Sequence, residues 1–197
     1  MSARPPLDLN RAALLMIDVQ REYFAEGGPL RIPDGAIVLS RLRRLLEDYR
    51  EANMPIVHIR HVEAAGAPVF AADRNLIETM PDVAPRHIEP VVTKHTPGAF
   101  TDTELSAVLT QQAARTLVIA GFMTHMCCDT TARQAVARGL NVIFLTDGTA
   151  TRNLVLGDRT IAHADVQAAT LAAQADGFSQ LADVATVRAA LADGMGY

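Results

Sequence analysis

The chain has 197 residues, of which 49% are hydrophobic and 20% are charged, and its formal net charge is −4. This length suits one sizeable core, and we predict a single domain over residues 1–197. The acidic balance argues against nucleic acid as a partner, because proteins that bind it carry a basic surface. No apolar run approaches the roughly 20 residues of a membrane-spanning helix, so we predict no membrane partner.

Two further features bear on the compartment. The N-terminal residues lack the apolar stretch of a secretory signal peptide. The only cysteines, Cys127 and Cys128, are adjacent and cannot join distant parts of a fold through a disulfide. Both features favour free thiols and predict a cytoplasmic location.

The first half of the chain alternates between strand-like and helix-like patterns. A nearly continuous apolar run at residues 12–18 is typical of a strand buried on both faces. The stretch 62–90 has several prolines and little periodicity, and we expect it to cross the active-site end of the sheet. In order, the predicted elements are a strand at 12–18, a helix at 36–53, a strand at 55–60, a short helix at 75–79 and a strand at 91–94.

The second half continues the alternation. A helix at 104–112, with Thr101 or Asp102 as its N-cap, precedes a strand at 116–120. The remaining predicted elements are a helix at 127–138 ended by Gly139, a strand at 141–146 ended by the turn residues Asp147 and Gly148, a helix at 161–174, a possible strand at 178–184 and a last helix at 186–192.

This order predicts an α/β fold, a doubly wound, mostly parallel six-stranded sheet with helices on both faces in three Rossmann-like layers. Ligands bind such sheets beyond the carboxyl ends of the strands, where the strand order reverses. Asp18, Lys94 and Cys127 all fall at the carboxyl ends of predicted strands. If the first strand lies beside the fourth, Asp18 and Cys127 face each other at that point.

These three residue types suit nucleophilic catalysis. A thiol at the start of a helix is where a thiolate is stabilised, so we expect Cys127 to be activated. Asp18 would accept the thiol proton, Lys94 would steady the charges, and backbone N–H groups near Cys127 would bind an oxyanion. Each residue also has a simpler interpretation: Asp18 as a cap, Lys94 as an exposed lysine and Cys127 as a small buried apolar residue.

The motifs around these residues resemble those of the isochorismatase-like cysteine hydrolases, which include nicotinamidases, N-carbamoylsarcosine amidases and isochorismatases. The similar segments are residues 14–20 with Tyr23 and Phe24, residues 93–100, and residues 121–127 continuing to Gly139. The resemblance implies a catalytic triad of Asp18, Lys94 and Cys127, with Cys127 rather than Cys128 as the nucleophile. It also implies a non-proline cis peptide between Met123 and Thr124, which would aim N–H groups of the Thr124–Cys127 turn at one point.

Several residues border the predicted site. Gln20 and Phe24 would line the substrate pocket, and His125 would either line it or lie at the surface or a dimer contact. His163 could reach the same end of the sheet, although a capping role is the simpler interpretation. The resemblance also implies a homo-oligomer.

We predict neither a metal nor a cofactor. Nicotinamidases hold a metal through an Asp-x-His pair, whereas no Asp stands two residues before His58 or His61 here, and a strand points these histidines to opposite faces. No Gly-x-Gly-x-x-Gly motif follows the first strand, which argues against a dinucleotide.

Three functions remain open from the sequence. The first is hydrolysis of an amide-type C–N bond of a small molecule through a thioester at Cys127. The second is hydrolysis of an isochorismate-like vinyl ether with Asp18 as general acid, which needs no thiol. The third is a non-catalytic small-ligand binding protein or scaffold with the same fold.

Overall fold

The computed structural model describes residues 7–194 and consists of a parallel sheet between two layers of helices. Residues 1–6 and 195–197, which form the two ends of the predicted domain, lie outside the described residues. The strands are β1 (Ala12–Ile17), β2 (Ile56–His61), β3 (Val91–Lys94), β4 (Thr116–Phe122), β5 (Asn141–Ala150), β6 (Leu154–Leu156), β7 (Arg159–Ile161) and β8 (Gln180–Ala182). The α-helices are α1 (Gly35–Glu51), α2 (Leu105–Gln111), α3 (Asp129–Val136), α4 (His163–Gly177) and α5 (Val184–Gly194).

The six-stranded sheet has the order β3-β2-β1-β4-β5-β8 with every neighbouring pair parallel, which confirms the predicted fold class. Helices α1 and α5 cover one face, and α2, α3 and α4 cover the other. The order runs outward in both directions from β1 and β4, so the reversal falls between these two strands. The residues after β1 and β4 therefore meet at the switch point, as predicted.

Buried aliphatic side chains explain why β1 and β4 are central. All residues of both strands are buried, because the helical layers exclude water from both faces of the sheet. On α1, Leu42, Leu45, Leu46 and Tyr49 share the stripe that packs against one face. Within the described residues, no helix is both long enough and apolar enough to cross a membrane.

The excursion between β2 and β3 lies where we predicted, over the carboxyl ends of the strands. Its segment around Thr79 pairs with Gln20 in an isolated bridge, and the N–H of Met80 donates to the carbonyl of Val19 at 2.9 Å. The N–H of Phe70 donates to the buried carboxylate of Glu22 at 3.1 Å. These contacts fix the excursion against the loop that follows β1.

Two predictions about the ends of elements are wrong, and one hairpin was missed. The strand predicted to end before Asp147 runs on to Ala150, because Asp147 and Gly148 lie in a β-bulge. The pairing of β4 with β5 passes from Ile119–Phe144 directly to Gly121–Thr149, so β5 contributes extra residues at this point. Helix α2 has Glu104 as its N-cap, and the nearby side-chain acceptor is Thr103 rather than Thr101 or Asp102. The β6–β7 hairpin was not predicted.

Gly121 allows the close approach of β1 and β4 at the switch point. Its φ is +116°, and a Cβ atom there would lie 2.0 Å from the carbonyl oxygen of Ile17. Neither atom can move without breaking the pairing of Ile17 with Gly121. Only glycine therefore fits between the two strands at this point.

We predict that Gly121→Ala lowers the free energy of unfolding by about 3 kcal/mol or more, or prevents folding. The control is Gly139→Ala, where φ is +77° but no atom lies within 4 Å of the added Cβ, so the cost should be about 1 kcal/mol. Urea denaturation of both variants measures the difference. Equal losses for the two substitutions would contradict the role of Gly121.

Candidate active site

Asp18 supplies a buried carboxylate directly after β1. Its φ of +49° turns the chain out of the strand, a conformation that aspartate tolerates better than most residues. The backbone is held by an N–H bond to the carbonyl of Ile59 at 3.0 Å. The side chain is fully buried; its Oδ2 lies 2.8 Å from Nζ of Lys94, and its Oδ1 has no hydrogen-bond partner among residues 7–194.

Lys94 brings a buried positive charge to the same place. It ends the edge strand β3, two strands away from β1, and its long side chain spans that distance. The ammonium Nζ lies 2.8 Å from Asp18 Oδ2, 2.8 Å from His61 Nδ1, 3.2 Å from the carbonyl of Thr96 and 3.3 Å from Cys127 Sγ. This one cation therefore contacts the side chains of Asp18, His61 and Cys127, which together with Lys94 form the buried cluster.

Cys127 lies in one π-helical turn, Thr124–Cys128, between β4 and α3. The prediction that a helix begins at Cys127 is wrong, since α3 begins at Asp129 and the turn before it is wider than an α-helix. Cys127 is 4% exposed, whereas Cys128 is completely buried, so Cys127 is the more accessible of the two free thiols. The structure therefore brings Asp18, Lys94 and Cys127 together, as the strand ends predicted.

The charge state of the thiol differs from our expectation. Burial raises the pKa of the Cys127 thiol, and the charge of Asp18 raises it further, while Lys94 lowers it only in part. The expected lowering of the pKa is wrong because the sulfur is shielded from water and faces a carboxylate. Burial lowers the pKa of Lys94, but Asp18 and Cys127 outweigh this effect and raise it overall. Both shifts favour a neutral thiol beside a charged ammonium.

The turn before Cys127 presents unpaired backbone donors. The N–H groups of Met123 and Thr124 have no acceptor within residues 7–194, and neither does the buried hydroxyl of Thr124. The non-proline cis peptide lies between Phe122 and Met123, so its prediction between Met123 and Thr124 is wrong by one bond. The reason is that the helical turn begins directly at Thr124, which leaves Met123 as the linking residue after β4.

His61 is the member of the cluster that the sequence analysis missed. It is the last residue of β2 and the register partner of Lys94, so the two side chains stand next to each other on neighbouring strands. Its Nδ1 contacts Lys94, and its Nε2 lies 2.7 Å from Glu63 Oε1. The signal was present, because a polar residue at a strand end was the criterion that identified the other three.

The predicted pocket residues have different surroundings. The side-chain amide of Gln20 donates both hydrogens, to the carbonyls of His61 and Ile77, each at 2.8 Å. Gln20 therefore joins the loop after β1 to these two segments and offers no free donor. Phe24 packs edge-on against Phe122, with ring centroids 5.6 Å apart. Roles for Gln20 and Phe24 in substrate binding stay predictions.

Two histidines beyond β4 and β5 have polar partners other than Cys127. The half-buried His125 bonds through Nδ1 to Thr151 Oγ1 at 2.6 Å, and burial lowers its pKa, with Arg152 lowering it further. The N–H of His163 donates to Asn153 Oδ1 at 2.8 Å, while its Nε2 pairs with Asp34. His125 as a pocket residue stays a prediction, and His163 joins the start of α4 to neighbouring loops.

The side chains of the cluster do not fit a metal ion. Donor atoms of Asp18, His61 and Cys127 lie within 4.8 Å of one another, which is close enough to share a cation. The ammonium of Lys94 already occupies that place, since it contacts all three residues. His58 points away from the cluster, and its Nε2 is paired with Glu89 at 2.9 Å.

Comparison with known proteins agrees with this geometry. The family model described as the Isochorismatase domain matches residues 12–176. The chain belongs to the isochorismatase family. It is therefore a hydrolase, since members of this family are hydrolases.

Two relatives and one solved structure illustrate the similarity. The chain is 42% identical over 143 residues to the secreted isochorismatase effector Isc1 of Verticillium dahliae, covering 73% of this chain and 74% of the relative. It is 29% identical over 193 residues to nicotinamidase 3 of Arabidopsis thaliana, covering 91% and 88%. A cysteine hydrolase from Pseudomonas syringae pv. phaseolicola superimposes with a TM-score of 0.91 at 25% identity, covering 98% of this chain and 99% of that one. Because one relative is named as secreted, a cytoplasmic location stays a prediction.

Proposed function

We propose that this hydrolase cleaves the C–N bond of a small amide through a thioester at Cys127. The observation that carries the proposal is the position of the Lys94 ammonium, 2.8 Å from the carboxylate of Asp18 and 3.3 Å from the sulfur of Cys127. A base, a cation and a nucleophile in one contact cluster are the groups that acyl transfer requires. The nicotinamidase relative supports an amide as the substrate class.

The first half-reaction begins with the neutral thiol. As the sulfur of Cys127 attacks the carbonyl carbon, its proton passes to Asp18, whose Oδ1 is free to accept it. The oxygen becomes an oxyanion, and we assign the N–H groups of Met123, Thr124 and Cys127 to bind it. The C–N bond then breaks while Asp18 returns the proton to the nitrogen, so that a neutral amine or ammonia leaves.

Water completes the reaction. It gives a proton to Asp18 and adds its hydroxide to the thioester carbon, and the C–S bond breaks as the sulfur takes that proton back. The products are a carboxylic acid and the original thiol. Lys94 keeps its charge throughout and stabilises whichever of the sulfur and the carboxylate is negative. We also propose that the protein forms a homo-oligomer, as the resemblance implies.

The vinyl-ether alternative rests on the isochorismatase named as a relative. In that reaction Asp18 would protonate the substrate and no bond to sulfur would form. The two functions therefore differ in their need for Cys127. A variant without the thiol separates them.

An arginine near His125 suggests what kind of amide is bound. Arg152 lies just after β5, close enough to His125 to lower its pKa. Its Nε is buried without a partner, and its side chain pairs with no carboxylate within the described residues, donating only to the carbonyl of Asn153 at 3.0 Å. We propose that Arg152 binds an anionic group of the substrate, because a guanidinium pairs well with a carboxylate.

We predict that Cys127→Ala abolishes amide hydrolysis and labelling by iodoacetamide, while Cys128→Ala keeps most of both, because Cys128 is the fully buried thiol. Ammonia release from a panel of primary amides measures turnover, and intact mass locates the label and a trapped thioester. Hydrolysis of the best amide by Cys127→Ala at the wild-type rate would refute the proposal. Hydrolysis of isochorismate by that variant would favour the alternative.

For substrate class, we predict that Arg152→Met lowers kcat/KM for an amide that carries a carboxylate, such as succinamate, by about 30-fold, which corresponds to ~2 kcal/mol. Propionamide, which is neutral, should be affected less than threefold. Arg43→Met, at an exposed position on α1, serves as the control and should change neither substrate. Equal losses for the acidic and the neutral amide would exclude the assigned role.

A further inference from the structure

A series of polar contacts runs from the buried cluster to the protein surface. It runs from Lys94 Nζ to His61 Nδ1 at 2.8 Å and from His61 Nε2 to Glu63 Oε1 at 2.7 Å. Lys94 is fully buried and the His61 side chain is 10% exposed, whereas the Glu63 side chain is 40% exposed. This series of contacts therefore connects the buried cation to a carboxylate at the surface.

The direction of each hydrogen bond follows from the ammonium. Lys94 has only donors, so at 2.8 Å the Nδ1 atom of His61 must be the acceptor and carries no proton. The ring proton of the neutral imidazole is then on Nε2 and is donated to Glu63. A carboxylate that fixes one ring nitrogen in this way sets the tautomer and the orientation of the other nitrogen.

The position of His61 is also fixed by its backbone and its ring. Gln20 receives the N–H of His61 and donates to its carbonyl, both at 2.8 Å. The ring packs against Phe70 with centroids 4.9 Å apart. The N–H of Glu63 donates to the carbonyl of Phe70 at 2.8 Å, so the carboxylate that receives the Nε2 proton is anchored as well.

We propose that His61 and Glu63 are positioning residues that hold the Lys94 ammonium so that one of its N–H bonds remains available to the sulfur of Cys127. The ammonium has three protons. Its hydrogen-bond acceptors are His61 Nδ1 at 2.8 Å, the carbonyl of Thr96 at 3.2 Å and the Cys127 sulfur at 3.3 Å, while Asp18 Oδ2 pairs with its charge at 2.8 Å. When the sulfur becomes negative, the hydrogen bond that it receives from the ammonium strengthens. This role rests on the proposed function, which it extends from three residues to five.

The groups that face Lys94 determine the expected pH dependence. They are Asp18 after β1, His61 on β2 and Cys127 in the π-helical turn, with Glu63 behind His61. Tyr23 also belongs to this environment, because burial raises its pKa and the charges of Cys127 and Asp18 raise it further. Removing an acceptor from the ammonium disfavours its charged form, so a thiolate at Cys127 then needs a higher pH.

The experiment compares three variants. His61→Leu removes the acceptor, His61→Asn keeps an oxygen acceptor near the place of Nδ1, and Glu63→Gln keeps an acceptor for the Nε2 proton without its charge. The rate of Cys127 alkylation by iodoacetamide is measured against pH, together with kcat and KM for the best amide. His87→Leu, at an exposed histidine, is the control, and thermal unfolding reports on the loss of packing against Phe70.

We expect His61→Leu to lower kcat about 100-fold with little change in KM and to move the alkylation midpoint up by about one pH unit. His61→Asn should keep the wild-type midpoint and a kcat within about tenfold, although it loses the same ring packing. Glu63→Gln should move the midpoint in the same direction as His61→Leu, but less.

Identical pH profiles for the leucine and asparagine variants would overturn the proposal, because His61 would then contribute only packing. An unchanged midpoint in Glu63→Gln would overturn the part assigned to Glu63. Alkylation does not depend on the substrate. A chain that hydrolyses no amide but shows the expected shifts would therefore refute the proposed function and leave the roles of His61 and Glu63 intact.

Discussion

The burial of the Lys94 ammonium is the constraint on which the candidate active site depends. An ammonium without water or a partner is too costly to bury, and here it is fully buried. It is tolerated because Asp18 supplies the opposite charge while His61 and the carbonyl of Thr96 accept its protons. The same contacts hold together the carboxyl ends of four strands, since Asp18 follows β1, His61 ends β2, Lys94 ends β3 and Cys127 follows β4.

The surroundings of Cys127 favour its neutral thiol over the thiolate. The raised pKa of Cys127 follows from burial and from Asp18. In the proposed reaction, Asp18 takes the thiol proton as the sulfur attacks a carbonyl, in a region that excludes water and in which fixed charges act strongly. Deprotonation of the thiol only during the attack fits a site in which the proposed base and the cation already contact each other.

Much of the fold and part of the site could be predicted from the sequence. Continuous apolar runs and polar residues at their ends identified the strands, the sheet type and the convergence of Asp18, Lys94 and Cys127. His61 was missed because the sequence analysis weighed it only as a metal ligand together with His58, which a strand points to the opposite face. Its contact with Lys94 depends on the pairing of β2 with β3, which the sequence pattern does not reveal.

Other wrong or missing predictions depend on contacts between segments that the hydrophobic periodicity does not reveal. The bulge at Asp147 and Gly148 depends on how β5 pairs with β4, so a typical turn sequence lies inside a strand. The β6–β7 hairpin is three residues long on each side and lies outside the main sheet, although Gly157 and Asp158 at its turn are a readable signal. The pKa of Cys127 depends on burial and on a carboxylate distant in sequence.

The most direct test of this account is a double-mutant cycle between Lys94 and Asp18, measured as the free energy of unfolding in urea. Lys94→Met should lower it by about 3–5 kcal/mol, because a buried carboxylate is left without its cation. Adding Asp18→Asn should restore most of that loss while leaving the protein inactive. A Lys94→Met variant as stable as the wild type, or a double variant no more stable than Lys94→Met, would contradict the central role of the buried ammonium.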